Sequence, residues 1–80
     1  QNIYKGGYGT MIMKLEYDQE ANAAYAYLKF PVKKGEAKKT IPVNDNIIID
    51  LDEKGRLLGV EILNARRLLP KQVLMKAVLA

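Results

Sequence analysis

The sequence has no cysteine, no histidine, no serine and no tryptophan, and a single phenylalanine. Without cysteine there is no disulfide framework, zinc ribbon or thiol nucleophile, a usage that fits a reducing cytoplasm. Without serine, histidine or cysteine the familiar nucleophilic triads cannot be assembled. The hydroxyls are those of Thr10, Thr40 and five tyrosines, and no pair among the nine acids is set apart by spacing for acid–base work. The chain therefore reads as non-enzymatic, with no cofactor and no metal. Long apolar runs are missing too. Stretches such as Ile47-Ile48-Ile49 fall far below the ~20 residues a membrane helix needs, so a soluble protein with no membrane role is expected.

What is present describes one small domain. Eighty residues bury only about 60 to 65% of the surface their unfolded chain exposes, which leaves room for one core. A hydrophobic content of 49% is enough to fold it. With no disulfide or Cys/His metal site to staple so small a core, self-association is expected, most simply as a dimer.

Thirteen Lys plus Arg oppose nine Asp plus Glu, a net charge of +4. The excess sits in two stretches. Lys33, Lys34, Lys38 and Lys39 surround Gly35 and Glu36, and Arg66, Arg67, Lys71 and Lys76 occupy a C-terminal segment free of acids. Lys33, Lys34, Lys38, Lys39, Arg66, Arg67 and Lys71 could touch nucleic acid through its phosphates. Neither stretch interleaves aromatics with arginine as single-strand binders do, so a solvated basic loop and helix are the plainer reading.

Residues 1–12 hold three of the six glycines and read as a tail or upstream extension, with 13–80 as the single α+β domain. From Met13 the pattern is β: Lys14, Glu16 and Asp18 alternate with Met13, Leu15 and Tyr17. Residues 18–22 turn into a returning strand over 23–30, stopped by Pro31. A basic loop leads to a short strand over 39–43, placed at a sheet edge by Pro42. Residues 47–52 and 56–63 form a hairpin around Glu53-Lys54-Gly55, with Gly55 at positive φ. The apolar match pairs Ile47, Ile49 and Leu51 with Ile62, Val60 and Leu58, whereas a type I turn with a bulge at Gly55 would shift it by one. Asn64 can cap the next element, and Pro70 suits the first turn of a helix running to about Leu79. Its stripe of Val73, Leu74, Ala77 and Val78 is too apolar to face water and is the candidate partner-binding surface.

Four features need weighing against plainer readings. Asp50-x-Asp52-x-Lys54-Gly55 with Glu61 at the twelfth position imitates a calcium loop, but Lys54 puts an ammonium where an oxygen ligand belongs and the flanks read as strands. As a hairpin turn it would leave Asp50 and Asp52 on one sheet face, relieved by water or lysines. Glu61 inside an apolar strand is either a partner-binding or acid–base carboxylate, or, more plainly, a residue of the solvated face or one paired with an Arg or Lys on a neighbouring strand. Tyr17, Tyr25 and Tyr27 form an aromatic set that could bind bases or a partner, and read more plainly as cross-strand pairs. Gly59 within a strand implies a bulge or close approach of a tyrosine or the helix.

Two stretches resemble a known family. Tyr17-Asp18-x-Glu20-Ala21-Asn22-Ala23-Ala24-Tyr25 looks like the opening motif of domain of unknown function 2283, a set of small bacterial and archaeal proteins. Ile48-Ile49-Asp50-x-Asp52-x-x-Gly55-Arg56-x-x-Gly59-Val60-Glu61-Ile62-Leu63-Asn64-Ala65 looks like its second. The family usually has Asp where Asn22 stands and larger apolar residues at Ala24 and Ala26, which implies a thinner core here. The resemblance implies an antiparallel sheet with a C-terminal helix and carries over no catalytic residue. Members resemble in setting small proteins encoded beside compact toxin-like partners, which implies an antitoxin-like interaction role.

The expectation is thus an α+β fold: an antiparallel, mostly meandering five-stranded sheet with one C-terminal helix. Its expected function is that of a cytoplasmic, non-catalytic protein-interaction module, self-associating and a partner for a small toxin-like protein. Weak nucleic-acid binding is the alternative.

Overall fold

Alternation of apolar and polar residues builds the first hairpin. In the computed structural model, which describes residues 13–80, strands β1 (Lys14–Asp18) and β2 (Ala23–Tyr27) pair antiparallel, with Tyr17 opposite Ala24 and Leu15 opposite Ala26. The expected tail lies outside the described residues. Strand β2 ends at Tyr27, short of the expected Phe30, because the amides of Leu28 and Lys29 both donate to the Leu58 carbonyl as the chain leaves the ladder.

Strands β3 (Lys39–Pro42), β4 (Ile47–Leu51) and β5 (Leu57–Leu63) form a meander. The Asn44 side chain accepts the amides of Asn46 and Ile47 and so closes the first of its turns. In the second, Asp52 Oδ1 accepts the amides of Lys54 and Arg56, and Gly55 sits at φ 81°. Both registers considered for this hairpin are found, in different places. Ile47 faces Ile62 and Ile49 faces Val60, as the apolar match requires, but a bulge then sets Leu51 opposite Leu57 rather than Leu58. The extra residue demanded by the Gly55 turn is absorbed near the turn, which leaves the apolar register intact beyond it.

Three expectations are corrected. The sheet has six strands and is mixed, in the order β3-β4-β5-β2-β1-β6, and β5 sits beside β2 so that hairpin and meander share one sheet. The single helix to Leu79 is two short ones, α1 (Ala65–Leu68) and α2 (Lys71–Lys76), followed by a two-residue strand β6 (Val78–Leu79) parallel to β1. The open edge of β1 offers unpaired backbone groups, and the Ala80 amide reaches the Tyr17 carbonyl, so edge pairing overrides the helical periodicity. Asn64 makes no side-chain cap. It is left-handed at φ 56°, and its side chain donates to Asn46 Oδ1. The cap comes from the other hairpin. Asn22, at φ 53°, accepts the amide of Ala65 on its carbonyl and that of Arg66 on Oδ1. Asparagine tolerates the left-handed region and carries the capping oxygen, so one residue locks the first turn to α1.

Paired residues share a sheet face. One face carries Leu15, Tyr17, Ala24, Ala26, Val60 and Ile62, continued toward β3 by Ile47, Ile49 and Ile41. The other carries Tyr25, Tyr27, Glu16, Asp50, Glu61 and Gly59. Tyr17 therefore does not join Tyr25 and Tyr27. Buried Tyr17, Ala24 and Ala65 form the core, with Leu15, Ile62, Leu69, Leu74 and Ala77 against them. Among the described residues no large side chain is completely buried.

Candidate interaction surface

The helices cover only part of the apolar face. The turn of α1 rests on β2 and β5, and Leu69, Leu74 and Ala77 close over Tyr17 and Ala24. Beyond Val60 the face continues over β4 and β3, where Ile47, Ile49 and Leu51 are half-buried and Ile41 and Val43 are 40% and 59% exposed. Val43 belongs to this set because its amide donates to the Ile47 carbonyl, two residues beyond the Ile41–Ile49 pair. This strip contains no charged side chain apart from Lys39 at its rim, opposite Leu51.

The stripe singled out from the sequence is divided by the fold. Leu74 and Ala77 face the chain's own core. Val73 is exposed and, with Leu15, Ala26, Ile62 and Leu69, lines an apolar groove of about 350 Å³. Val78 lies 50% exposed on β6. Sequence reasoning missed Ile41 and Val43, although their alternation with Thr40 and Pro42 was a signal that one side of the edge strand is apolar.

The opposite face is polar and largely satisfied. Tyr25 donates its hydroxyl to Asp50 at 2.7 Å, Thr40 donates to the other Asp50 oxygen at 2.8 Å, and Tyr27 donates to Glu16. Burial, then the hydrogen bond to the Asp50 carboxylate, pushes the Tyr25 phenol well above its ordinary value; burial and Glu16 raise Tyr27 likewise. Tyr25, Tyr27 and Phe30 form an aromatic row with centroids 4.6 and 5.1 Å apart, and the Lys14 ammonium lies 3.9 Å above Phe30. The row explains Gly59: a Cβ there would stand 2.6 Å from the Tyr25 hydroxyl and 2.7 Å from Cζ. Glu61 is half-buried on this face, opposite Tyr25 and Ile48.

The calcium-like spacing is spent on structure. Asp50 holds two hydroxyls on the sheet face, while Asp52 accepts two amides of its own turn and the Arg56 guanidinium at 2.8 Å. The two acids are therefore relieved by these donors rather than by lysines. The Arg56 amide first, with the guanidinium beside it, holds the Asp52 carboxyl below the usual carboxylate range. Among the described residues no group of three or more acids is disposed to hold a metal ion. Lys29 pairs with Glu36 across the basic loop, and that contact holds the Glu36 carboxyl low.

The two basic stretches are not brought together. Lys38 and Lys39 lead into β3 at one edge, whereas Arg66 and Lys71 flank Tyr17 of β1, ~19 Å away across four strand spacings. Lys33, Lys34 and Arg67 are exposed. Arg66 donates to the Tyr17 hydroxyl at 3.2 Å and, with Lys71, Gln19 and Leu74, lines an open cleft of about 440 Å³. No helix among the described residues is long and apolar enough to cross a membrane.

Fold and surface together define a small α+β domain with a half-covered mixed sheet. The family described as protein of unknown function (DUF2283) matches residues 14–66, and the chain belongs to it. It is also similar to the uncharacterized protein MJ0789 of Methanocaldococcus jannaschii, 42% identical over 59 residues. That match covers 72% of this chain and 46% of the relative, so the chain spans about half of the relative's length. No solved structure matches the chain.

Proposed function

We propose that the chain is a non-catalytic protein-interaction module that self-associates, with a small toxin-like protein as a second class of partner suggested by the family resemblance. One observation carries this reading. Among the described residues four hydrophobic ones are well buried and ten large ones are exposed, among them Ile41, Val43, Val73 and Val78. Of these, Ile41 and Val43 continue the apolar sheet face past the helices, and apolar surface that adjoins in this way supports a docking face rather than scattered exposure. Asp50 and Asp52 are tied to hydroxyls, amides and Arg56, which favours a structural over a catalytic use of these two acids. Nucleic-acid binding ranks below because the cations are split between distant edges. Sedimentation velocity over a concentration series tests the reading: the wild type should gain mass above its 9.0 kDa as concentration rises. A 9.0 kDa species at every concentration, with no mass gained in the presence of a candidate partner, would refute it.

A further inference from the structure

We infer that the strip of β3, β4 and β5, which no element of the described residues covers, is the seam of a face-to-face homodimer, in which Ile41, Val43, Ile47, Ile49 and Val60 of one copy pack on the same residues of another. This deepens the interaction reading above and rests on it.

The chemistry of the strip selects its occupant. It is β-branched and free of charge within its borders, so a partner presenting acids or bases would lose their hydration and gain no counter-charge. What fits is another apolar sheet face, and a second copy supplies one of identical outline, as a two-fold interface requires. The layers agree as well. Two sheets pack ~10 Å apart, close to the separation at which a helix rests on a sheet, so the second sheet would lie in the layer that α1 and α2 already begin.

Other modes of pairing are obstructed. Edge addition at β3 meets Lys39 and the missing amide of Pro42, two common guards of an open edge. Edge addition at β6 has a strand of only two residues. A seam built on α2 has only Val73 and Met75 to offer, since Leu74 packs on the chain's own core. The area suffices for a weak dimer. Three strands at ~4.8 Å and five residues at ~3.3 Å give a footprint of ~14 by ~16 Å. Its corrugated side chains, with flanking Leu57 and Val73, offer on the order of 500 Å² per copy, or about 1,000 Å² in all, the lower bound for a specific interface. A micromolar dissociation constant is therefore expected. Added salt should tighten it, since each copy carries +4 and the seam gains nothing from charge.

Ile41 and Val43 are exposed in the single copy, so a charge there should leave the fold intact. Sedimentation equilibrium of wild type, Ile41→Glu, Val43→Glu and Val78→Glu, each with a circular dichroism melt, decides the matter. Expected is a wild-type dimer whose dissociation constant rises at least tenfold in Ile41→Glu and Val43→Glu, with Val78→Glu and all melts near wild type at dilute concentration. A dimer indifferent to charge at 41 and 43 but broken by Val78→Glu overturns the seam and leaves the interaction reading standing. A wild type monomeric to millimolar concentration overturns both the seam and self-association.

Discussion

Replacing Gly59 by alanine should destabilise the domain, against the usual benefit of removing a strand glycine. That benefit is ~0.5 to 1 kcal/mol, from the entropy glycine keeps in the unfolded chain. The structure sets a larger cost against it. The new Cβ would stand 2.6 to 2.7 Å from the hydroxyl and Cζ of Tyr25, inside any tolerable contact. The ring has little freedom to give way, because its hydroxyl is fixed to Asp50 at 2.7 Å and the tilted Tyr27 ring packs beside it with centroids 4.6 Å apart. Overpacking of this kind costs ~1 to 3 kcal/mol, and weakening a charge-assisted hydrogen bond adds ~1 kcal/mol, so a net loss of ~1 to 3.5 kcal/mol is expected. In a domain of this size that corresponds to a fall in melting temperature of ~4 to 28 °C. Urea melts at one fixed protein concentration, in wild type and in a Tyr25→Ala background, make the test. With the ring gone, Gly59→Ala should become neutral or slightly stabilising. A Gly59→Ala change that is harmless in the wild type, or equally damaging with and without the Tyr25 ring, would refute the clash.

The same geometry sets further outcomes. Asn22→Ala loses both its tolerance of φ 53° and the oxygen that caps Arg66, a cost of ~1.5 to 3 kcal/mol, while Asn22→Gly, which keeps the backbone geometry, should lose only about 1; denaturant melts of the two separate strain from capping. Leu74→Ala should cost ~2 kcal/mol by opening the core over Tyr17, against less than ~0.5 for Val78→Ala at dilute concentration, as thermal melts can establish. Stability should be bounded on both sides by pH. Asp52 and Glu36, held low in the folded chain, stabilise it above a pH of ~4 and lose that contribution on acidification, and Tyr25 and Tyr27, held high, penalise the fold once the unfolded phenols ionise above ~10. Equilibrium unfolding across pH checks this: Asp52→Asn should flatten the acid limb and Tyr25→Phe the alkaline one. Calorimetric titration with calcium should give no saturable heat, because Asp50 and Asp52 are turned to hydroxyls and amides.

The strands of this fold were legible because alternation is local. Lys14 to Asp18, the Pro42 edge strand and the Gly55 hairpin are all set by side chains within a few residues of one another. What the sequence hid depends on distant neighbours. The stretch from Ala77 to Leu79 carries a helical spacing, yet it is drawn into β-pairing by the vacant edge of β1, some sixty residues away in the chain. Asn64 has the composition of a cap, but Asn22 takes that role from another hairpin, and no pattern around Ala65 reveals it. The partner-binding stripe is divided for a related reason. Periodicity marks Leu74 and Val78 alike as apolar, and only the tertiary fold decides which turns inward. The exposed strip over β3 and β4 was legible as half-buried strands, whereas the point where the helices stop covering it depends on the shortness of α1 and α2.

The claim that this strip meets a second copy is tested most directly by isoleucine methyl NMR with a soluble paramagnetic probe, recorded from dilute to concentrated protein. The sheet supplies its own controls: Ile48 lies on the opposite face, facing Glu61, and Ile62 packs against the core cluster under the helices. In a face-to-face dimer, Ile41, Ile47 and Ile49 should be attenuated by the probe when dilute and become protected as concentration rises, while Ile48 and Ile62 keep at every concentration the attenuation they show when dilute. Unchanged attenuation of Ile41, Ile47 and Ile49 at every concentration, or protection appearing at Ile48 instead, would contradict it.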